Sequence, residues 1–130
     1  MTLDEARRFI ADDHFATEQC GIRVESLDAH QVCVSMAITE SHLNANKVVQ
    51  GGAIYTLCDT AFAIAANAEG QRMVNRSAEI TYLKPGMGTV LYAKTRCVSR
   101  GAMMGLYQVE VYDDQQKLIA LMTINGFGRR

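Results

Sequence analysis

Apolar residues recur along the chain with two different periods, and the changes of period mark out its elements. Thr2 to Asp13 predicts a helix. Leu3, Ala6, Phe9 and Ile10 form a stripe at helical spacing, and Thr2 with Glu5 has the spacing of a capping box. From Gly21 the period falls to two. Val32, Val34, Met36 and Ile38 alternate with Cys33, Ser35, Ala37 and Thr39, which predicts a strand with one strongly apolar face. Ile22 and Val24 predict a strand before it, turned at Asp28-Ala29-His30.

A polar stretch from Ser41 to Gln50 ends in Gly51-Gly52, and a long helix is predicted from there through Asn67, stopped by Gly70. Its apolar residues, among them Ile54, Leu57, Ala61, Phe62 and Ile64, point to nearly all sides. A helix apolar all round is buried on most faces. Four strands follow: Met73 to Leu83, Thr89 to Ser99, Met103 to Tyr112 and Lys117 to Phe127. Turn signals at Lys84-Pro85-Gly86, Arg100-Gly101 and Asp113-Asp114-Gln115 predict antiparallel neighbours joined in succession. The order of elements fits an α+β fold in which one antiparallel sheet wraps a central helix, as one domain over residues 1–130.

Composition narrows the function classes. The chain carries 13 Lys plus Arg against 14 Asp plus Glu. This balance argues against a nucleic-acid partner, which needs a basic face to release counterions. Between Lys47 and Glu69 the only charged residue is Asp59, over roughly the length that spans a bilayer. A carboxylate at mid-span is costly in lipid, so a buried helix of a soluble, non-membrane protein is expected. Asp4 and Glu5 stand where a signal peptide would need positive and then apolar residues, and a cytoplasmic location is expected. Cys20, Cys33, Cys58 and Cys97 form no CxxC pair and lack zinc-ligand spacing, which predicts reduced thiols and no metal. His14, His30 and His42 share no ligand spacing either, and are expected at the surface or in loops.

Asp59 is the most informative residue. An ionised carboxylate in an apolar helix must be paired, neutralised or functional, and no Lys or Arg lies within one turn of it. Gly51-Gly52 is the second feature, because free N–H groups and the positive end of a helix can receive developing negative charge. The two features lie about 12 Å apart along one helix, too far to meet one reacting carbonyl. A shared site therefore requires Asp59 from one subunit and Gly51 from another, which predicts a homodimer at least, with tetramers expected.

The runs His42-Leu43-Asn44, Gln50-Gly51-Gly52 and Leu57-Cys58-Asp59-Thr60-Ala61-Phe62-Ala63 resemble the hotdog-fold acyl-CoA thioesterases, above all the phenylacetic-acid-degradation (PaaI-like) group. Tyr82-Leu83-Lys84-Pro85-Gly86 resembles that family's turn after its third strand, and the resemblance runs from about His14 to the end. It implies a hotdog fold and dimers built by joining two sheets edge to edge, often paired again into tetramers. It implies an acyl-CoA substrate, aryl or medium-chain, and no cofactor beyond the coenzyme A of that substrate. Asp59 matches the family's catalytic carboxylate, as base or nucleophile. Gly51 matches the backbone donor to the thioester oxygen, and Asn44 the polar residue that positions water or substrate. Asn75 falls where the family commonly has Ser or Thr. Ser77, two residues on, is expected to share its strand face and is a second candidate.

Gln50 departs from the family, which has His before Gly-Gly. Its amide can donate a hydrogen bond to a carbonyl or leaving thiolate but does not titrate near neutral pH. This feature keeps a second reading in view, a non-catalytic or weakly active acyl-CoA binder. A hotdog dehydratase is less consistent, because that chemistry commonly relies on the missing His. Tyr82, Lys84, Arg100 and Gly101 are candidate substrate contacts, with Lys84 and Arg100 placed at turns where they could meet coenzyme A phosphates. Met103-Met104 suits an adaptable acyl pocket, with core filling the plainer expectation, and Cys58 is expected in the core.

Overall fold

A computed structural model describes residues 1–29 and 31–129, so His30 and Arg130 lie outside the described residues. Helix α1 (Leu3–Ala11) begins with the expected capping box: Glu5 N donates to Thr2 Oγ1 at 3.1 Å, and Thr2 N to Glu5 Oε1 at 3.2 Å. Ala6 and Ile10 are its buried residues, while Phe9, expected on the apolar stripe, is 44% exposed. A short π-helical turn (Phe15–Gln19) leads to β1 (Ile22–Leu27) and β2 (Val32–Ala37), which pair antiparallel. The turn between them closes with Asp28 N donating to Gln31 O at 3.0 Å. β2 is buried on both faces, not one, and Ser35 on its second face donates to Glu25 Oε1 at 2.6 Å.

Helix α2 (Gly51–Asn67) buries Ile54, Leu57, Cys58, Ala61, Phe62 and Ile64 against the sheet. The ring of Phe62 meets Tyr107 edge-on, with centroids 5.4 Å apart. At the helix end Asn67 Nδ2 donates to Ala63 O and Met73 O, and Met73 N donates to Asn67 Oδ1 at 2.8 Å. These bonds fix where the next strand starts. Gly70 follows at φ 86°, a left-handed conformation that glycine adopts without strain.

The remaining strands are β3 (Arg72–Tyr82), β4 (Val90–Arg100), β5 (Met104–Tyr112) and β6 (Leu118–Arg129). All pairs are antiparallel, in the order β1-β2-β4-β5-β6-β3. The expected β3–β4 hairpin at Lys84-Pro85-Gly86 does not form. β3 pairs only with β6 and makes one edge of the sheet, while β4 lies between β2 and β5. Three strand spacings, about 14 Å, separate β3 from β4. The segment from Leu83 to Thr89 is long enough to cross that gap at about 3.3 Å per residue. It is held along the way: Leu83 N donates to Ile119 O at 2.8 Å, Val49 N to Gly86 O at 2.9 Å, and Thr89 Oγ1 to Asp114 Oδ2 at 2.6 Å. Turn chemistry reports that the chain bends there, but not which strand it meets next.

No helix among the described residues is long and apolar enough to cross a membrane. The four cysteines are free; Cys20, Cys33 and Cys58 are buried and Cys97 is exposed. Burial, aided by neighbouring Asp59, pushes the Cys58 thiol up to about 12 from its ordinary 9.0. Above pH 9 the unfolded chain therefore ionises Cys58 while the folded chain does not, and this group lowers stability progressively as the pH rises toward 12. A thiol reagent at pH 8 is expected to label Cys97 alone quickly, the fast phase to vanish in Cys97→Ser, and the other thiols to react only on unfolding. A second fast thiol in the native protein would contradict the burial of Cys20, Cys33 or Cys58.

Candidate active site

The start of α2 is built by the loop before it. Asn44 Oδ1 accepts from Asn46 N at 2.9 Å and Val48 N at 3.3 Å, and Asn44 N donates to Val48 O at 2.8 Å. Its carbonyl end thus shapes the loop, and its amide nitrogen is the end left for a substrate or water. His42, expected at the surface or in a loop, lies in the short 3-10 turn Glu40–His42 but is buried; its Nδ1 accepts from Thr39 N at 3.0 Å. His42 O receives Gln50 N at 2.8 Å, so the loop delivers Gln50 to the helix as its N-cap.

Gln50 Oε1 accepts from Ala53 N at 3.2 Å. A Cβ at position 52 would stand 2.6 Å from Gln50 Oε1, so a side chain there would push the Gln50 amide out of this position. With Ala53 capped, the N–H groups of Gly51 and Gly52 meet no protein acceptor among the described residues. Two adjacent donors at the positive end of a helix make a receptor for a developing oxyanion. Tyr82, at the end of β3, donates its hydroxyl to Gly51 O at 2.9 Å and ties this turn to the sheet edge. Burial raises the pKa of the Tyr82 phenol, with Cys58 and Tyr55 adding smaller contributions, which keeps it a donor.

Asp59 lies two turns along α2, half-buried. Its partner is neutral: Asn75 Nδ2 donates to Asp59 Oδ1 at 3.0 Å and also to the Tyr55 hydroxyl oxygen at 3.2 Å. Asp59 Oδ2 has no protein partner among the described residues. Asn75 supplies across space what no residue within a turn supplies along the helix. Tyr55 is the member of this cluster that the sequence reading missed. Its only signal was a hydroxyl four positions before Asp59, on the same helix face.

The structure separates Ser77 from Asn75. A β-bulge lies between them, with Asn75 opposite Gly126 and Ser77 opposite Asn125. The extra residue shifts the alternation, so Ala78 and Ile80 turn to the core and Ser77 turns outward with exposed Asn125. The expectation of a shared face is corrected accordingly.

Arg100 and Gly101 belong to the other end of α2. Arg100 Nη2 donates to Ala66 O at 3.1 Å, and its other nitrogen Nη1 bonds the Tyr107 hydroxyl. That position is about 22 Å along the helix from Gly51. Gly101 N donates to Met104 O in the β4–β5 turn. Met103 and Met104 are 50% and 42% exposed, so neither fills the core. A cavity of about 620 Å³ at this end is lined by Leu27, Val32, Ala65, Thr95, Arg100 and Tyr107 and does not reach Asp59. Lys84 is exposed in the segment beyond Tyr82, and its backbone N donates to Ile119 O at 3.1 Å.

Comparison with known proteins gives the same assignment from three directions. Residues 46–120 match the family model of the Thioesterase superfamily. The acyl-coenzyme A thioesterase PaaI of Escherichia coli K12 is 36% identical over 102 residues, 78% of this chain and 73% of that protein. The solved structure of E. coli PaaI superposes with a TM-score of 0.85 at 28% identity, covering 99% of this chain and 97% of that one. A hypothetical thioesterase of Streptococcus pneumoniae TIGR4, solved with coenzyme A, matches at a TM-score of 0.83 and 25% identity, covering 93% and 99%. A Streptococcus mutans UA159 protein bound to acetyl CoA matches at 0.78 and 27%, covering 84% and 91%. With the sheet wrapped on α2 and the carboxylate and helix start where they stand, the chain belongs to the thioesterase superfamily, as a PaaI-like thioester hydrolase of the hotdog fold.

Proposed function

We propose that the protein hydrolyses aryl- or medium-chain acyl-CoA thioesters at sites shared between two protomers. The observation that carries this reading is the half-buried Asp59, held through Oδ1 by a neutral amide while Oδ2 has no protein partner among the described residues. The relatives named for acyl-coenzyme A hydrolysis, or solved with coenzyme A or acetyl CoA, support the substrate class.

Asp59 and Gly51 both lie against β3, one edge of the sheet, and the face of α2 carrying Gly52, Tyr55, Thr56, Asp59 and Ala63 is only partly covered. An unpaired edge strand of 11 residues is a template for a second copy. Pairing two such edges about a two-fold axis brings the start of one α2 toward Asp59 of the other. In that site the N–H groups of Gly51 and Gly52 receive the thioester oxygen, and the amide nitrogen of Gln50 stands beside them. Asp59 either takes a proton from water, which attacks the carbonyl, or attacks it directly to form a mixed anhydride that water opens. In the first route the C–S bond breaks and the proton held by Asp59 passes to the sulfur; in the second coenzyme A leaves as the thiolate and takes its proton from solvent water. In this reading the exposed Lys84 is the cation that meets its phosphates, while Arg100, held by Ala66 O and Tyr107 at the other end of α2, and Gly101 do not. No group of three or more His, Cys, Asp or Glu among the described residues could hold a metal ion, and the reaction as written uses none.

Hydrolysis of benzoyl-, phenylacetyl- and octanoyl-CoA, followed by released thiol, tests the activity. Asp59→Asn is expected to lose nearly all turnover and to keep the native circular dichroism; near-wild-type turnover in that variant would sink the assignment. Sedimentation at micromolar protein is expected to give a dimer or tetramer, and a 14.3 kDa monomer would exclude the shared site.

Gln50 distinguishes this reading from an acyl-CoA binder with little turnover. A neutral hydrogen bond to the developing oxyanion is worth roughly 1 to 3 kcal/mol, about tenfold to a hundredfold in rate. Gln50→Ala is expected to slow hydrolysis within that range, and Gln50→His to change it less than about tenfold. A gain of about a thousandfold or more in Gln50→His would favour the binder instead.

A further inference from the structure

We infer that Tyr55 is a positioning residue for Asp59, acting through the amide of Asn75. The inference rests on the proposed role of Asp59 and adds to it the device that sets the carboxylate's orientation. Tyr55 and Asp59 are four residues apart on α2, and Asn75 reaches both from β3 with one atom, Nδ2, at 3.2 and 3.0 Å. An ionised carboxylate only accepts hydrogen bonds, so the nitrogen end of the amide must face Asp59. That nitrogen carries two hydrogens, and the two acceptors use both.

The terminal torsion of Asn is broad, and one hydrogen bond alone leaves the amide plane free to swing. A second acceptor on the other hydrogen fixes the plane. The bond to Asp59 Oδ1 then holds the carboxylate in one orientation and leaves Oδ2 as the reacting oxygen. Because its oxygen accepts from Asn75, Tyr55 turns its own hydroxyl hydrogen away from the pair. A Ser or Thr hydroxyl at position 75 has one hydrogen and could link the two only by accepting from Tyr55 while donating to Asp59; the amide donates to both.

Tyr55→Phe removes only the oxygen. It is expected to lower kcat about three- to tenfold while KM changes less than twofold, the cost of one neutral hydrogen bond expressed in the chemical step. In an Asn75→Ala background the same substitution is expected to have no further effect on kcat. An unchanged kcat in the single variant, or an equal loss in both backgrounds, would overturn the inference. The side-chain amide protons of Asn75, followed by NMR, read the link without turnover. One proton of the pair is expected to move upfield in Tyr55→Phe and the other to stay; if neither moves, Tyr55 does not hold Asn75. Loss of the role proposed for Asp59, read from Asp59→Asn, is thereby distinguishable from failure of the Tyr55 link.

Discussion

Helix α2 has apolar side chains on almost every side, and folding must remove nearly all of that surface from water. Burial is worth about 25 cal/mol per Å² of apolar surface, and a Leu or Phe side chain contributes roughly 1.5 to 3 kcal/mol. Leu57, Cys58, Ala61, Phe62 and Ile64 are at most 1% exposed, so the sheet covers the helix along most of its length. The strand order follows from this demand. The chain leaves β2, runs through α2, and reappears at the opposite edge as β3, so the sheet meets the helix from both ends of its strand order.

The covering stops along one stripe, and the polar chemistry sits there. Gly52, Tyr55, Thr56 and Asp59 remain partly open on the side of the helix from which Asn75 of β3 reaches Asp59. The partner that reaches Asp59 is the neutral amide of Asn75, which holds one carboxylate oxygen from β3 and orients the group. The same edge strand carries Tyr82 to Gly51 O, so both ends of the site are referenced to β3.

The bulge in β3 makes that double attachment compatible with a packed strand. Met73 and Asn75 face inward before it, Ala78 and Ile80 after it, and the extra residue absorbs the change of phase. Opposite the bulge, Gly126 leaves room for Met73 and Phe62; a Cβ there would lie 2.6 Å from Met73 Sδ and 2.9 Å from Phe62 Cζ. The closeness of β6 to α2 at this point keeps Asn75 within reach of Asp59.

Much of this was legible in the linear order of residues. The capping box at Thr2 and Glu5, the two-residue period around Val34, and the all-round apolar run of α2 are local patterns whose physics acts within a turn or a pleat. Asp59 and the Gly51-Gly52 start stand out for the same reason, since a lone charge and paired glycines in an apolar segment need no partner to be conspicuous. What the sequence could not decide depends on contacts made across space. Whether β3 meets β4 or β6 is settled by where α2 deposits the chain, not by the turn at Pro85. Ser77 is turned outward by a bulge that no residue type announces, and Arg100 is drawn to Ala66 O at the far end of α2. Tyr55 gains its meaning only when Asn75, twenty positions later, is folded onto it, because the energy of a hydrogen bond depends on separation in space and is indifferent to separation along the chain.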